Sequence, residues 1–113
     1  MSESDRIRLR HMLDAAREAA SFVRDLKRQD IERDRMLALS LVKEIEIIGE
    51  AATKISEDVK AASPQIPWAL IIGMRHRLVH AYFDIDFGIL WATVANALPP
   101  LACEIERLLA ASE

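Results

Sequence analysis

Residues 31–56 read IERDRMLALSLVKEIEIIGEAATKIS. Leu37, Leu41, Ile45, Ile48, Ala52 and Ile55 recur at steps of three and four, which puts them on one stripe of a helix. Lys43, Glu46, Glu50, Thr53 and Lys54 take the other side. A half-buried strand would alternate with a period of two, and this stretch does not. Glu44 falls near the apolar stripe, an unusual place for a carboxylate unless it is paired. A helix with one apolar face must bury it against other elements, so the rest of the chain has to supply them.

It supplies more helices. Upstream, Ile7, Met12, Ala15, Ala19, Phe22, Val23 and Leu26 recur between Asp, Glu and Arg, which predicts a helix over 5–27 with Ser4 and Asp5 as its cap. KRQD at 27–30 is a polar break, with Asp30 as the N-cap of the helix that follows. Downstream, SEDVKAASPQIP at 56–67 holds two prolines and small residues, so it reads as a loop with one helical turn after Ser56. Pro67 suits the first position of a third helix, 67–82. Asp86 caps a fourth, 87–111, carrying Ile89, Leu90, Val94, Leu98, Leu101, Ile105, Leu108 and Leu109. Pro99-Pro100 lies inside that helix. Proline removes a hydrogen bond and clashes with the preceding turn, so a kink is expected near Ala95–Leu98. Four helices with short links predict an all-α antiparallel bundle of four to five helices, a single domain over 1–113.

Composition narrows the function classes. At 113 residues the chain is long enough for one core, and 51% hydrophobic with 29% charged residues is a globular balance. The net charge of −3 argues against a protein that coats nucleic acid, but leaves room for a local basic patch. The one cysteine, Cys103, can form neither an internal disulfide nor a metal site. It reads as a small buried hydrophobe in a reducing, cytoplasmic protein. No apolar run of about 18 residues stands out, so no membrane span is expected. The start MSESDRIRLR is charged and is followed by no apolar run, so no signal peptide is expected. None of the three glycines opens a phosphate-cradling loop, so no nucleotide cofactor is expected.

The chemistry gathers in GMRHRLVHAYFDID, residues 73–86. On a helical wheel with Arg75 at zero, Ile71, Ile72, Leu78, Val79, Tyr82 and Phe83 lie within roughly 80°, at about 100° per residue. Arg75 thus sits in an apolar face, where a guanidinium needs a carboxylate or a ligand. Glu44 and Glu50 are the candidate partners. His76 and His80 are four apart and stack on one flank beside Gly73. They could bind zinc, but no third ligand is evident, so no metal is expected. Arg75, His80 and Tyr82 together supply the parts for metal-free RNA cleavage. Arginine holds a phosphodiester by forked hydrogen bonds. Histidine moves a proton near neutral pH, and tyrosine hydrogen-bonds and stacks on a base. One such histidine per chain, diverging from Arg75 on the wheel, favours a site shared between two protomers. Arg77 points to solvent on the same wheel.

Arg75-His76-Arg77-Leu78-Val79-His80 resembles the arginine–histidine signature of HEPN domains, and Tyr82 two residues on resembles the form found in HepT-like toxins. IGEAATKIS at 48–56, IPWALIIGMRHRLVHAYFDID at 66–86 and ALPPL at 97–101 resemble that family's blocks in order, so the likeness covers most of the chain. The resemblance implies a homodimeric, metal-independent endoribonuclease, the toxin of a type VII toxin–antitoxin pair. Its implied partner is a small MntA-like nucleotidyltransferase that silences the toxin by adding AMP to the motif tyrosine, here Tyr82. Glu50 and Lys54 match a Glu-x3-Lys motif of such ribonucleases, which implies that Glu50 orients Arg75. His76 stands where Asn or Asp is common, and is expected to share in proton transfer. The other reading is a catalytically silent HEPN module that docks the nucleotidyltransferase.

Overall fold

The computed structural model describes residues 1–80 and 84–112. The described chain is almost entirely helical, as the apolar stripes require. Helix α1 spans Glu3–Phe22, α2 Arg28–Arg33, α3 Arg35–Thr53, α4 Glu57–Ala62 and α5 Trp68–Leu78. A two-residue strand β1, Val79–His80, pairs antiparallel with β2, Asp84–Ile85. Then come α6, Phe87–Ala92, a π-helical turn Thr93–Ala97, and α7, Leu98–Ala111.

Helix α3 is the centre. It packs against α1 on one side and α5 on the other, and α1 packs in turn on α7. Leu41, Ile45, Ile48 and Ala52 of α3 are buried, as their stripe predicts, while Leu37 is half-buried and its neighbour Ala38 is buried instead. They meet Leu9, Met12 and Ala16 of α1, Leu78 of α5, Leu90 of α6 and Ile105 of α7 in one core. A methyl added at Gly49 would rest 3.4 Å from the carbonyl oxygen of Ile71, so α3 and α5 approach closely there. The molecule measures 42 × 30 × 20 Å, and the short dimension is two helix diameters. Such a slab leaves long grooves between neighbouring helices open to solvent.

Several ends fall two to five residues from their expected positions, and α1 stops at Phe22 rather than at 27. Ser2 rather than Ser4 caps α1, accepting the Asp5 N–H at 3.0 Å. This frees the Asp5 carboxylate, which accepts from Ser56 N–H and Ser56 Oγ at 2.8 Å each. The start of α1 is thereby tied to the end of α3. Burial raises the Asp5 pKa, but the Ser56 hydrogen bonds outweigh it and hold the carboxyl below its usual value. The expected helix over 31–56 is divided at Asp34, whose carboxylate caps α3 by accepting from Leu37 N–H at 3.1 Å. Asp30 does not start that helix. It closes a capping box at the start of α2, accepting from Lys27 N–H at 2.7 Å.

The turn after Ser56 is α4, with Ser56 as its cap. Asp86 caps α6, accepting from Ile89 N–H at 3.0 Å. The irregularity at Ala95–Leu98 takes the form of the π turn, where Leu98 N–H reaches back to Thr93 O. Pro99 and Pro100 donate no hydrogen bond, so the turn before them is free to rewind. The helical run Phe87–Ala111 is long and apolar enough to cross a membrane by length and composition, against the expectation from the sequence. Its residues Leu90, Val94, Leu98, Leu101, Ile105 and Leu109 are buried in the bundle, and only 33% of the apolar window is buried in all.

Two further expectations are corrected. Cys103 is exposed, because α7 buries 98, 101, 105 and 109, and 103 lies off that stripe. Helix α5 ends at Leu78, not at 82, with Val79 already extended at φ −120° and ψ 116°.

Candidate active site

Lys43, Glu46, Ile47, Glu50, Thr53 and Lys54 form the outer stripe of α3. They floor a cleft of about 560 Å³. Its walls are α1, through Arg8 and His11, and α5, through Ile72, Arg75 and His76. From Lys43 to Lys54 the floor runs roughly 16 Å at 1.5 Å rise per residue. Four cationic side chains and two histidines line it, against two carboxylates, although the chain as a whole is acidic. Such local excess of positive charge concentrates anions.

Arg75 is held on the α5 wall. Its Nε donates to Glu46 Oε1 at 2.6 Å, a charge-assisted hydrogen bond. Lys43 Nζ lies 3.8 Å from the other Glu46 oxygen, so one carboxylate sits between two cations. Among the described residues the carboxylate that meets Arg75 is therefore Glu46, not Glu44 or Glu50. Both carboxylates of the floor, Glu46 and Glu50, are on the α3 stripe one turn apart. Which of them meets Arg75 depends on how α5 slides along α3. Arg75 is also less buried than its wheel position implied, with 41% of its side chain exposed. The buried residues of α5 are Trp68, Ile71, Met74 and Leu78, and Arg75 stands at the edge of that face.

Glu44 points elsewhere. It is 4% exposed, on the side of α3 that meets α1. Burial raises its pKa to about 7, helped by a hydrogen bond and charge repulsion from Glu18. The pairing that its apolar position demanded is thus with another carboxyl.

The structure brings Arg75, His76, Glu50 and Lys54 to one cleft. It does not bring His80 there. His80 is exposed on β1, opposite Asp84 in the ribbon, and is not among the residues that line the cleft. The helix stops two residues before it, so the stacking of His76 over His80 does not occur. Tyr82 lies outside the described residues. Arg77 is exposed, as its wheel position predicted. Among the described residues no group of three or more His, Cys, Asp or Glu is placed to hold a metal ion.

A family model for HepT-like ribonucleases matches residues 12–108, which includes α3, α5 and the whole 73–86 segment. The chain belongs to the HepT-like ribonuclease family. It is 34% identical over 108 residues to a protein of Thermococcus cleftensis named probable ribonuclease HepT, covering 96% of this chain and 98% of that one. A protein of Methanocaldococcus jannaschii named as a candidate RNase is 32% identical over 95 residues, 84% of this chain and 87% of the other. Another candidate RNase, from Caldanaerobacter subterraneus, is 30% identical over 101 residues, 89% and 90% of the two chains. No solved structure gives a significant match.

In this HepT-like chain three cleft residues escaped the reading of the sequence: Glu46, Arg8 and His11. The signal for Glu46 was present, since it shares the polar stripe of α3. Arg8 and His11 are three apart and so share a face of α1. That this face borders the same cleft as Arg75 is decided only by the antiparallel packing of α1 on α3.

Proposed function

We propose that this HepT-like chain is a metal-independent endoribonuclease that cleaves RNA in the cleft along α3. The observation that carries the reading is the gathering of Arg75, His76 and Lys54 in a cleft of net positive charge. The names of the family relatives support it. In the proposed reaction a histidine takes the proton of a ribose 2′-hydroxyl. The 2′-oxygen attacks the adjacent phosphorus and the bond to the 5′-oxygen breaks. That oxygen leaves with a proton from an acid group, giving a 2′,3′-cyclic phosphate and a 5′-hydroxyl. Arg75 stabilises the crowded phosphorane, and Glu46 fixes its guanidinium for that purpose. No co-reactant is consumed in this step.

His76 and His80 are the proposed proton-transfer groups, with Glu50 and Lys54 in support. His80 stands outside its own chain's cleft, so the proposal places the complete site at the contact of a homodimer. Tyr82 is proposed as a substrate contact and as the off-switch. An MntA-like nucleotidyltransferase would transfer AMP from ATP to its phenolic oxygen, with pyrophosphate leaving. The setting is a cytoplasmic type VII toxin–antitoxin pair. Expression of the chain alone should arrest growth, and His80→Ala should relieve the arrest with the protein still folded. Incubation with the partner, ATP and magnesium should add mass in AMP units to the wild type but not to Tyr82→Phe. An adduct on Tyr82→Phe would remove that part of the reading.

The engagement of Arg75 by Glu46, together with the position of His80, favours one other reading: a silent module that docks the nucleotidyltransferase. Growth arrest on expression alone separates the two, since a silent module causes none.

A further inference from the structure

The α1 wall of the cleft has no role in the reaction above, yet it carries a cation. Asp5 is bound to Ser56, so α1 runs antiparallel along α3 from that level. Arg8 and His11, on the next turns of α1, line the cleft from there. Arg75 is paired with Glu46. Arg8 therefore lies toward the C-terminal end of α3, and Arg75 stands further back along the groove at Glu46. The two cations thus stand at different stretches of the groove. Lys54 stands on the floor at the Arg8 end.

Arg8 is half-buried. Its Nε is buried without a hydrogen-bond partner among the described residues. An unmet guanidinium donor has an energetic demand for an anion. His11 is exposed and offers a ring N–H to the same end of the cleft. We propose that Arg8, His11 and Lys54 form a second phosphate subsite, which holds the phosphodiester next to the one cleaved, so that the ligand is a single RNA strand laid along α3. The inference rests on the ribonuclease reading for its choice of ligand, but the subsite binds a strand whether or not the strand is cut.

The test uses a 2′-O-methyl hexanucleotide, which cannot undergo 2′-hydroxyl attack, in a fluorescence-anisotropy titration with the full chain. Arg8→Gln should bind it roughly tenfold more weakly than wild type at low salt, as expected for one charge-assisted phosphate contact. The slope of log affinity against log salt should fall by about 0.7, the value for one phosphate of a single strand. Lys54→Gln, an exposed substitution, should act in the same direction, which guards against misfolding of Arg8→Gln. Arg17→Gln, on a surface pair with Glu106 outside the cleft, should leave the affinity unchanged. The loss should shrink several-fold on a 2′-O-methyl dinucleotide, which has one phosphodiester.

Equal affinity and slope for wild type, Arg8→Gln and Lys54→Gln would overturn the subsite. So would an equal loss on hexanucleotide and dinucleotide. A wild type that binds in an Arg8-dependent way but fails to cleave unmodified RNA would refute the ribonuclease reading and leave the subsite standing.

Discussion

Glu44→Gln should raise the melting temperature at pH 8 and leave it nearly unchanged at pH 4. Glu44 is buried on α3 beside Glu18, with one carboxyl oxygen lacking a partner among the described residues. Its pKa is raised from 4.5 to about 7, first by burial and then by Glu18. Below pH 4.5 the group is protonated in both the folded and unfolded chain, so it has no cost. Between 4.5 and about 7 the unfolded chain releases a proton that the folded chain keeps. Stability therefore falls as pH rises through that window, and the loss is complete above it. At about 1.4 kcal/mol per pKa unit the full loss is at most about 3.5 kcal/mol. Solvent on the Glu18 side screens part of this, leaving about 1–2 kcal/mol. For a chain of this size about 1 kcal/mol moves Tm by roughly 4 °C, so the expected gain is about 4–8 °C at pH 8. Glutamine keeps the shape of the neutral acid and cannot ionise. The assay is thermal unfolding by circular dichroism from pH 4 to 8. Parallel Tm–pH curves for wild type and Glu44→Gln would refute the reasoning, because they would mean that Glu44 titrates alike in both states.

Three further outcomes follow from single contacts. Asp5→Ala leaves the two Ser56 donors without their acceptor and should cost about 1–3 kcal/mol in urea unfolding. Because the Asp5 pKa is lowered, its contribution is present above the unfolded value and lost as pH falls through the folded one, so the variant and wild type should converge in acid. Glu46→Ala should lower kcat on RNA about tenfold by releasing Arg75, yet shift Tm by less than about 4 °C, since a pair this exposed contributes under about 1 kcal/mol. A Tm loss without a kcat loss would make Glu46 structural only. Cys103 is exposed and should react with a thiol reagent in the native state as fast as in urea, whereas a buried thiol would react only on unfolding.

What could be read from the sequence follows from how local each signal is. The stripe on α3, the Ser56 turn, the Asp86 cap and the irregularity before Pro99-Pro100 are each set by residues within a turn or two, and each was legible. The end of α5 was not. Val79 is β-branched and enters a ribbon with Ile85, and the Asp86 N–H bonds back to Leu78 O at 2.8 Å. Those contacts come from residues further along the chain, so the periodicity of 67–78 carries no sign of where the helix stops. The expected stacking of His76 over His80 is lost for the same reason. The site was legible in part. Arg75, His76, Glu50 and Lys54 do share a cleft. The choice of Glu46 over Glu50 as the partner of Arg75, and the arrival of Arg8 and His11, depend on how helices slide and face one another. The neighbouring residues in the chain carry no record of that.

The most direct test of the central claim is the rate at which purified protein cleaves RNA in excess EDTA, measured for wild type and Arg75→Ala. The account predicts that the wild type cleaves and leaves 2′,3′-cyclic phosphate ends, while Arg75→Ala, folded to the same Tm within a few degrees, is slower by about 100-fold or more. Cleavage by Arg75→Ala at the wild-type rate, or loss of wild-type cleavage in EDTA, would contradict it.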